Sequence, residues 1–272
     1  MTTFLFWNLK GRPLAGQVAR LSASYEVDVI VMAECRVTPG EMMLALRRAT
    51  GRLHYLPPST CQKIAIYTPW PERFLQTEPD FETDRATIRR LLLPEVGEIL
   101  LVAAHLPSKL HCSESSQEFE CVLLGQHIRQ AEAAVGHRRT VLVGDLNVDP
   151  FEKGVVSAAG LHGVMTRAIA ERRQRTVQGE DYPFFYNPMW SRLGDKSAGP
   201  PGTYYDNRAE QVNFFWHTFD QVLVRPDLLP AFENEELKVL TGDNETKLIS
   251  AHGLPDDSAA SDHLPVLFKL QL

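Results

Sequence analysis

No run of the chain approaches eighteen consecutive apolar residues, so the sequence predicts no membrane-spanning helix. Cysteine is scarce: there are four (Cys35, Cys61, Cys112 and Cys121), and no two form a C-x-x-C pair. Four thiols spread over 272 residues make no disulfide framework, and a reducing, cytoplasmic location is the plain reading. A basic excess is missing too. The 28 Lys and Arg fall short of the 34 Asp and Glu, for a net charge of −6, which argues against a general nucleic-acid coat protein but leaves room for an enzyme with a local basic cleft. The opening residues show no charged region ahead of an apolar run and no small-residue cleavage site, so Thr3–Asn8 reads as a buried strand rather than a signal peptide. There is no internal repeat, low-complexity tract or heptad seam. No linker is polar or long enough to divide residues 1–272, which predicts a single domain.

The chain is rich in short strand signals. Thr3–Asn8, Val27–Ala33, Lys63–Tyr67, Arg73–Gln76, Thr87–Leu93, Ile99–His105 and Thr140–Gly144 read as strands, many of them near-continuous apolar runs suited to burial on both faces. Leu14–Tyr25, Glu41–Ala49 and Ser115–Val135 carry helical spacing; the stripe of the last is Phe119, Val122, Leu123 and Ile128. Asp149 before Pro150 reads as a helix cap. Phe219–Val224, Lys238–Thr241, Lys247–Ile249 and Pro265–Leu270 complete the strands. Many strands with few helices predict sheet packed on sheet with helices outside.

Polar residues collect where these strands end: Asn8, Glu34, His105, Asp145 with Asn147, and Asp262 with His263, while Asp220 stands at the start of a strand. Singly, each has a plainer reading. Asn8, Asp145 and Asn147 suit turns, Glu34 suits the first solvated position, and His105 suits a hydrogen-bonded core histidine. Together the plainer readings weaken. If these strand ends share one edge, several carboxylates converge with two histidines and two amides, and such a set would repel itself without a cation. An oxygen-rich site of this kind suits Mg²⁺ or Mn²⁺, not zinc. A hard cation beside Asp, Asn and His is equipment for the attack of water on a phosphoester.

The order Trp7-Asn8, Glu34, His105, Gly144-Asp145-Leu146-Asn147 and Ser261-Asp262-His263-Leu264-Pro265-Val266 resembles the endonuclease/exonuclease/phosphatase superfamily, the DNase I-like fold. The resemblance implies a four-layered α/β sandwich of two mixed sheets flanked by helices, and a Mg²⁺- or Mn²⁺-dependent phosphoesterase. It implies metal-side roles for Asn8, Glu34 and Asp262, and catalytic roles for His105, Asp145, Asn147, Asp220 and His263, with Asp220 holding the tautomer of His263. Ser108 and Lys109, in an H-x-x-S-K form, are implied phosphate contacts, although Lys109 reads equally as a solvated lysine. One position departs: Lys10 stands where some members, abasic-site endonucleases among them, carry an acid, which leaves a second metal in doubt.

For substrate, nucleic acid is the favoured reading, cut at DNA or RNA phosphodiester bonds. A small phosphorylated or lipid substrate, and a non-catalytic module of the same fold, remain as alternatives. The arginine clusters 47–52, 85–90 and 167–175 offer candidate flanks for a groove, or plain solvated faces. Between Tyr182 and Trp216 lie ten of the chain's 24 aromatics, together with seven Pro and Gly. That stretch is expected to form a substrate rim, with Tyr186 and Trp190 as contacts and Phe214–Trp216 as its buried part.

Overall fold

The computed structural model describes residues 1–93, 97–110, 112–197, 199–243 and 245–272. It is an α/β fold of two large mixed sheets. One sheet has five strands in the order Lys238–Val239, Val266–Leu270, Thr2–Asn8, Val29–Ala33, Ile64–Tyr67. The other has seven, in the order Leu75–Thr77, Ala86–Leu93, Gly97–His105, Thr140–Asp145, Asp220–Val224, Phe185–Tyr186, Gly163–Val164. Each sheet is mixed because it holds parallel pairs among antiparallel ones: Thr2–Asn8 with Val29–Ala33, and Gly97–His105 with Thr140–Asp145.

Alternation along the strands builds the layers. Phe4, Phe6, Val29 and Val31 of the first sheet meet Leu101, Ala103, Val141, Val143 and Val222 of the second in one buried cluster. The opposite face of the first sheet, with Leu5, Trp7, Ile30 and Met32, is covered by the helices Ala15–Ser24 and Pro39–Thr50. The opposite face of the second, with Leu100, Val102, Ala104 and Leu142, is covered by the helix Glu114–Val135. The result is the four-layered sandwich the sequence predicts, and it explains why its central strands read as unbroken apolar runs.

Several local expectations change. Arg73–Gln76 is not one strand: after Pro71 the chain makes a short 3₁₀ turn, Glu72–Phe74, before the strand Leu75–Thr77. Lys247–Ile249 makes only single bridges, at Lys247 and Ile249. The long helix buries Gln117, Cys121, Leu124, Gly125 and Ile128, while Phe119 is 59% exposed. Close approach decides this: a Cβ on Gly125 would lie 2.3 Å from the Gly160 carbonyl oxygen, so the face against the 154–160 segment must be small rather than strongly apolar. Asp149 does not cap a helix. The next helix, Lys153–Val156, begins after Glu152, and Asp149 reaches instead to residues 217 and 218.

Candidate active site

Strand register puts the polar residues side by side. Asn8 pairs with Ala33, directly before Glu34; in the other sheet His105 is level with Asp145, and Asp145 with Asp220. All stand at one end of the sandwich, where the two sheets meet around a cleft of about 700 Å³. Gly144 is required here, since a Cβ would lie 2.0 Å from the Ala104 carbonyl oxygen. His263 comes from the segment leading into Val266–Leu270. It is held there by its own carbonyl, which accepts from Trp7 Nε1 at 2.8 Å, and by its amide, which donates to Ser261 Oγ at 3.2 Å.

Asp145 is the centre. Its Oδ2 accepts from Asn8 Nδ2 at 2.9 Å, across the two sheets, and its Oδ1 accepts from the Asn147 amide at 3.0 Å. His105 Nε2 lies 3.7 Å and His263 Nε2 3.9 Å from that same Oδ2. Asn147 is fixed in turn by Nδ2 donating to the Leu106 carbonyl, and the buried Gln117 ties the Pro107 and Asn147 carbonyls to the long helix. Asp220, fully buried, faces His263 Nδ1 at 2.8 Å. Three residues at this end have left-handed backbones: Lys10 (φ 52°), Glu34 (φ 49°) and Asn147 (φ 54°). Asparagine tolerates this; for Glu34 it is a strained conformation, of the kind that clusters where side chains are aimed for chemistry.

The electrostatics separate the histidines. Burial alone would lower His263, but Asp220 and Asp145, with the hydrogen bond to Asp220, raise it well above the usual imidazole range. Burial likewise raises Asp220, against the opposing pull of His263. For His105 burial dominates and lowers it, in spite of Asp145 and Glu34 nearby.

Asp145, Asp220 and His263 bring one ligand atom each within 4.8 Å of one another, close enough to hold a metal ion. The hydrogen bond between Asp220 and His263, however, commits those two to a proton. The donors better suited to a hard cation are the oxygens of Glu34 and Asp145. The Glu34 side chain is 40% exposed in the cleft, and its only described partner is His105 Nε2, at 3.5 Å. Asp262 is differently placed: Lys10 Nζ lies 2.8 Å from it and 2.9 Å from Asp257. The lysine thus supplies a positive charge of its own beside Asn8, and the donor set fits one hard cation at Glu34 more readily than two.

The remaining expectations divide. Ser108 and Lys109 line the cleft, with Lys109 Nζ 2.5 Å from Glu152 Oε1. Tyr186 and Trp190 do not. Tyr186 is buried between the sheets with its hydroxyl on Asn234, and Trp190 packs against Phe151 at 6.2 Å. Phe185–Tyr186 is a strand inside the seven-stranded sheet, and its rings fill the core. Phe214 and Phe215, expected to be buried, are 58% and 51% exposed. The aromatics that do line the cleft are Tyr204, Phe219 and the imidazole of His217, together with Arg36, Lys63, Arg85, Asp206 and Arg208. The arginine clusters also split: Arg89 is buried on Glu82, Arg52 pairs with Asp28, Arg173 pairs with Asp227, and of the three clusters only Arg85 reaches the cleft. The period-two spacing of His217 and Phe219 ahead of Asp220 was the available signal for this wall.

No helix among the described residues is long and apolar enough to cross a membrane. No curated protein sequence matches the chain. Solved structures share its fold. An AP endonuclease from Archaeoglobus fulgidus is 15% identical with a TM-score of 0.58, covering 100% of both chains. The 3′ phosphatase NExo from Neisseria, bound to a product DNA hairpin, is 18% identical with a TM-score of 0.58 over 100% of both chains. A family protein from Leptotrichia buccalis is 14% identical with a TM-score of 0.59, again over 100% of both. The family model for endonucleases, exonucleases and phosphatases matches residues 5–263, from the first buried strand to His263, and the chain belongs to that family.

Proposed function

We propose that the protein is a Mg²⁺- or Mn²⁺-dependent phosphodiesterase that hydrolyses nucleic acid. The observation that carries the hydrolytic reading is the arrangement around Asp145: one carboxylate, fixed by two asparagines, with a raised imidazole on one side and a lowered one on the other. Groups whose environments push their proton affinities apart are the usual mark of divided acid–base roles. Asp145 takes the proton of the attacking water, with Asn147 orienting it. His263, kept charged by Asp220, contacts the phosphate oxygens and offsets their charge. His105, neutral, donates a hydrogen bond to the same phosphate. Glu34, with an oxygen of Asp145 that Asn8 holds in place, would hold the cation, which when bound would offset phosphate charge and polarise the phosphorus. Asp262 works through Lys10, whose ammonium adds to the positive lining.

Nucleic acid is favoured by the rim. Arg36, Lys63 and Arg85 line the cleft without an ion-pair partner among the described residues, so a chain that is acidic as a whole keeps three free cations beside its site. The Neisseria phosphatase, which shares the fold and is bound to a product DNA hairpin, supports the same substrate class. The test is hydrolysis by the purified chain of single-stranded DNA, duplex DNA, RNA, an inositol phosphate and a generic phosphodiester. Oligonucleotides should be cut at least about tenfold faster than the small esters in Mg²⁺, and chelator should abolish the rate. Full activity in chelator, or preference for the inositol phosphate, overturns the proposal.

A further inference from the structure

The cleft contains a second imidazole whose Nδ1 is held by a buried aspartate. His217 Nδ1 lies 2.7 Å from Asp149 Oδ2, and Asp149 Oδ1 accepts from the Thr218 amide at 2.8 Å. Asp149 is 1% exposed, so this carboxylate is fixed at both oxygens inside the protein. The His217 ring lies flat on Phe219, with centroids 4.6 Å apart and planes 22° apart, and Phe214 meets it edge-on at 6.1 Å. With its Nδ1 edge and one face occupied, what His217 presents to the cleft is Nε2, which has no hydrogen-bond partner among the described residues. A ring that only filled space would not need a buried carboxylate behind it, because an ion taken out of water is costly unless its partner is well placed. The pair is arranged as the Asp220–His263 pair is: an aspartate fixes one nitrogen so that the other points at a ligand.

Position and the open nitrogen say what that ligand is. Tyr204 stands between the two imidazoles, 4.8 Å from His263 and 6.4 Å from His217, so His217 sits one aromatic ring further along the cleft than the phosphate-facing histidine. The corner is bordered by two ion pairs, Lys109 with Glu152 at 2.5 Å and Arg208 with Asp206 at 2.6 Å, so their acids offset those two cations, and it is the open Nε2 of His217 and its place one ring beyond His263 that mark the ligand. We propose that His217 is a substrate-contacting residue that binds the phosphate next to the one being cleaved, selecting substrates that carry two neighbouring phosphates. This deepens the nucleic-acid reading above and rests on it for the identity of the chain, while the subsite itself can be tested separately.

The test is calorimetric titration of the full chain with a nucleoside 5′-monophosphate and with the matching 3′,5′-bisphosphate. Wild type should bind the bisphosphate about tenfold more tightly, the gain expected of one hydrogen bond from His217 to a charged phosphate oxygen. His217→Gln should reduce that ratio to about threefold or less and leave monophosphate affinity unchanged. Asp149→Asn, which keeps the Thr218 contact, should reduce it part of the way; it reads the same ratio if His217→Gln fails to fold. Equal binding of the two ligands by wild type, an undiminished ratio in the variants, or an equal loss for both ligands overturns the proposal. If the ratio falls as stated but oligonucleotides are not cut, the subsite stands and the nucleic-acid reading fails.

Discussion

His105 and His263 approach the same oxygen of Asp145 from two sides, at 3.7 and 3.9 Å, and both side chains are 9% exposed. Their charges nevertheless differ. His263 has Asp220 against Nδ1 and is pushed up; His105 Nδ1 has no hydrogen-bond partner among the described residues, and burial pushes it down. Burial and the shared carboxylate are common to both, so what separates them is the carboxylate at the far nitrogen. The site thus sets one imidazole above and one below the ordinary imidazole range on either side of one carboxylate, without changing residue type.

Removing the shared oxygen should have the largest effect. Asp145→Asn keeps an acceptor for only one of Asn8 and Asn147 and deletes the charge that both histidines face, and kcat should fall by about 10³, within the range for loss of a positioned proton acceptor. Thermal stability should fall by about 1–3 kcal/mol, the cost of the one buried hydrogen bond lost, which leaves the chain folded for the rate measurement. A variant retaining a tenth of the wild-type rate would show that Asp145 is only a strand-end residue.

Asp220→Asn makes the two histidines alike. The side-chain shape survives, but the attraction and hydrogen bond of Asp220 are lost while burial remains, opposed now only by Asp145 and Asp262, so the proton affinity of His263 falls from its raised value. In wild type the His263 proton stays on as pH rises through 7. In the variant it comes off at lower pH, so the falling limb of the pH–rate profile should move to lower pH, with kcat down about 10² at neutral pH. An unchanged pH–rate profile would detach Asp220 from the chemistry. His105→Gln should cost less, about tenfold, because a neutral imidazole contributes a hydrogen bond rather than a charge. Its loss should not add to that of Asp145→Asn, since the two act on one phosphate.

How legible these pairs were depended on what kind of signal each carried. Asp145 and Glu34 stand directly after apolar runs that have no other way to be buried than as central strands, so their shared edge could be read from the sequence. His263 and Asp220 were visible as a motif and a strand start. The Asp149–His217 pair was not: Asp149 reads as a helix cap, His217 lies one residue past the aromatic stretch with only its spacing to Phe219 to mark it, and only tertiary contact joins the two across 68 positions. Tyr186 and Trp190 were misplaced because a count of aromatics cannot say which way a strand faces. The Phe185–Tyr186 strand lies inside the sheet, and Tyr204, eighteen residues on, reaches the cleft. Of the long helix's expected stripe Ile128 is buried, but the buried face turns from Phe119 toward Cys121, Leu124 and Gly125, where the close approach of Gly160 fixes it.

A third histidine isolates the burial effect, and its expected signature lies in stability alone. His162 is 2% exposed, packs at 4.3 Å from Phe184, and has no acidic partner among the described residues; the Pro183 and Tyr182 backbone near its ring only partly offsets its burial. Burial, with Arg175 adding to it, lowers it to about 4. The folded value lies below the unfolded one of about 6.5, so between those two pH values the unfolded chain takes up a proton that the folded chain refuses. Its contribution is therefore fully present above pH ~6.5, is lost as pH falls toward 4, and amounts to on the order of 2–3 kcal/mol. His162→Asn suits the left-handed backbone here (φ 53°) and cannot titrate. It should lower stability at pH 7.5 through lost packing, yet flatten the decline measured by urea unfolding between pH 6.5 and 4.5. If wild type and variant lose stability in parallel across that window, His162 is not the group responsible, and burial does not lower His162 as it lowers His105 even against Asp145 and Glu34.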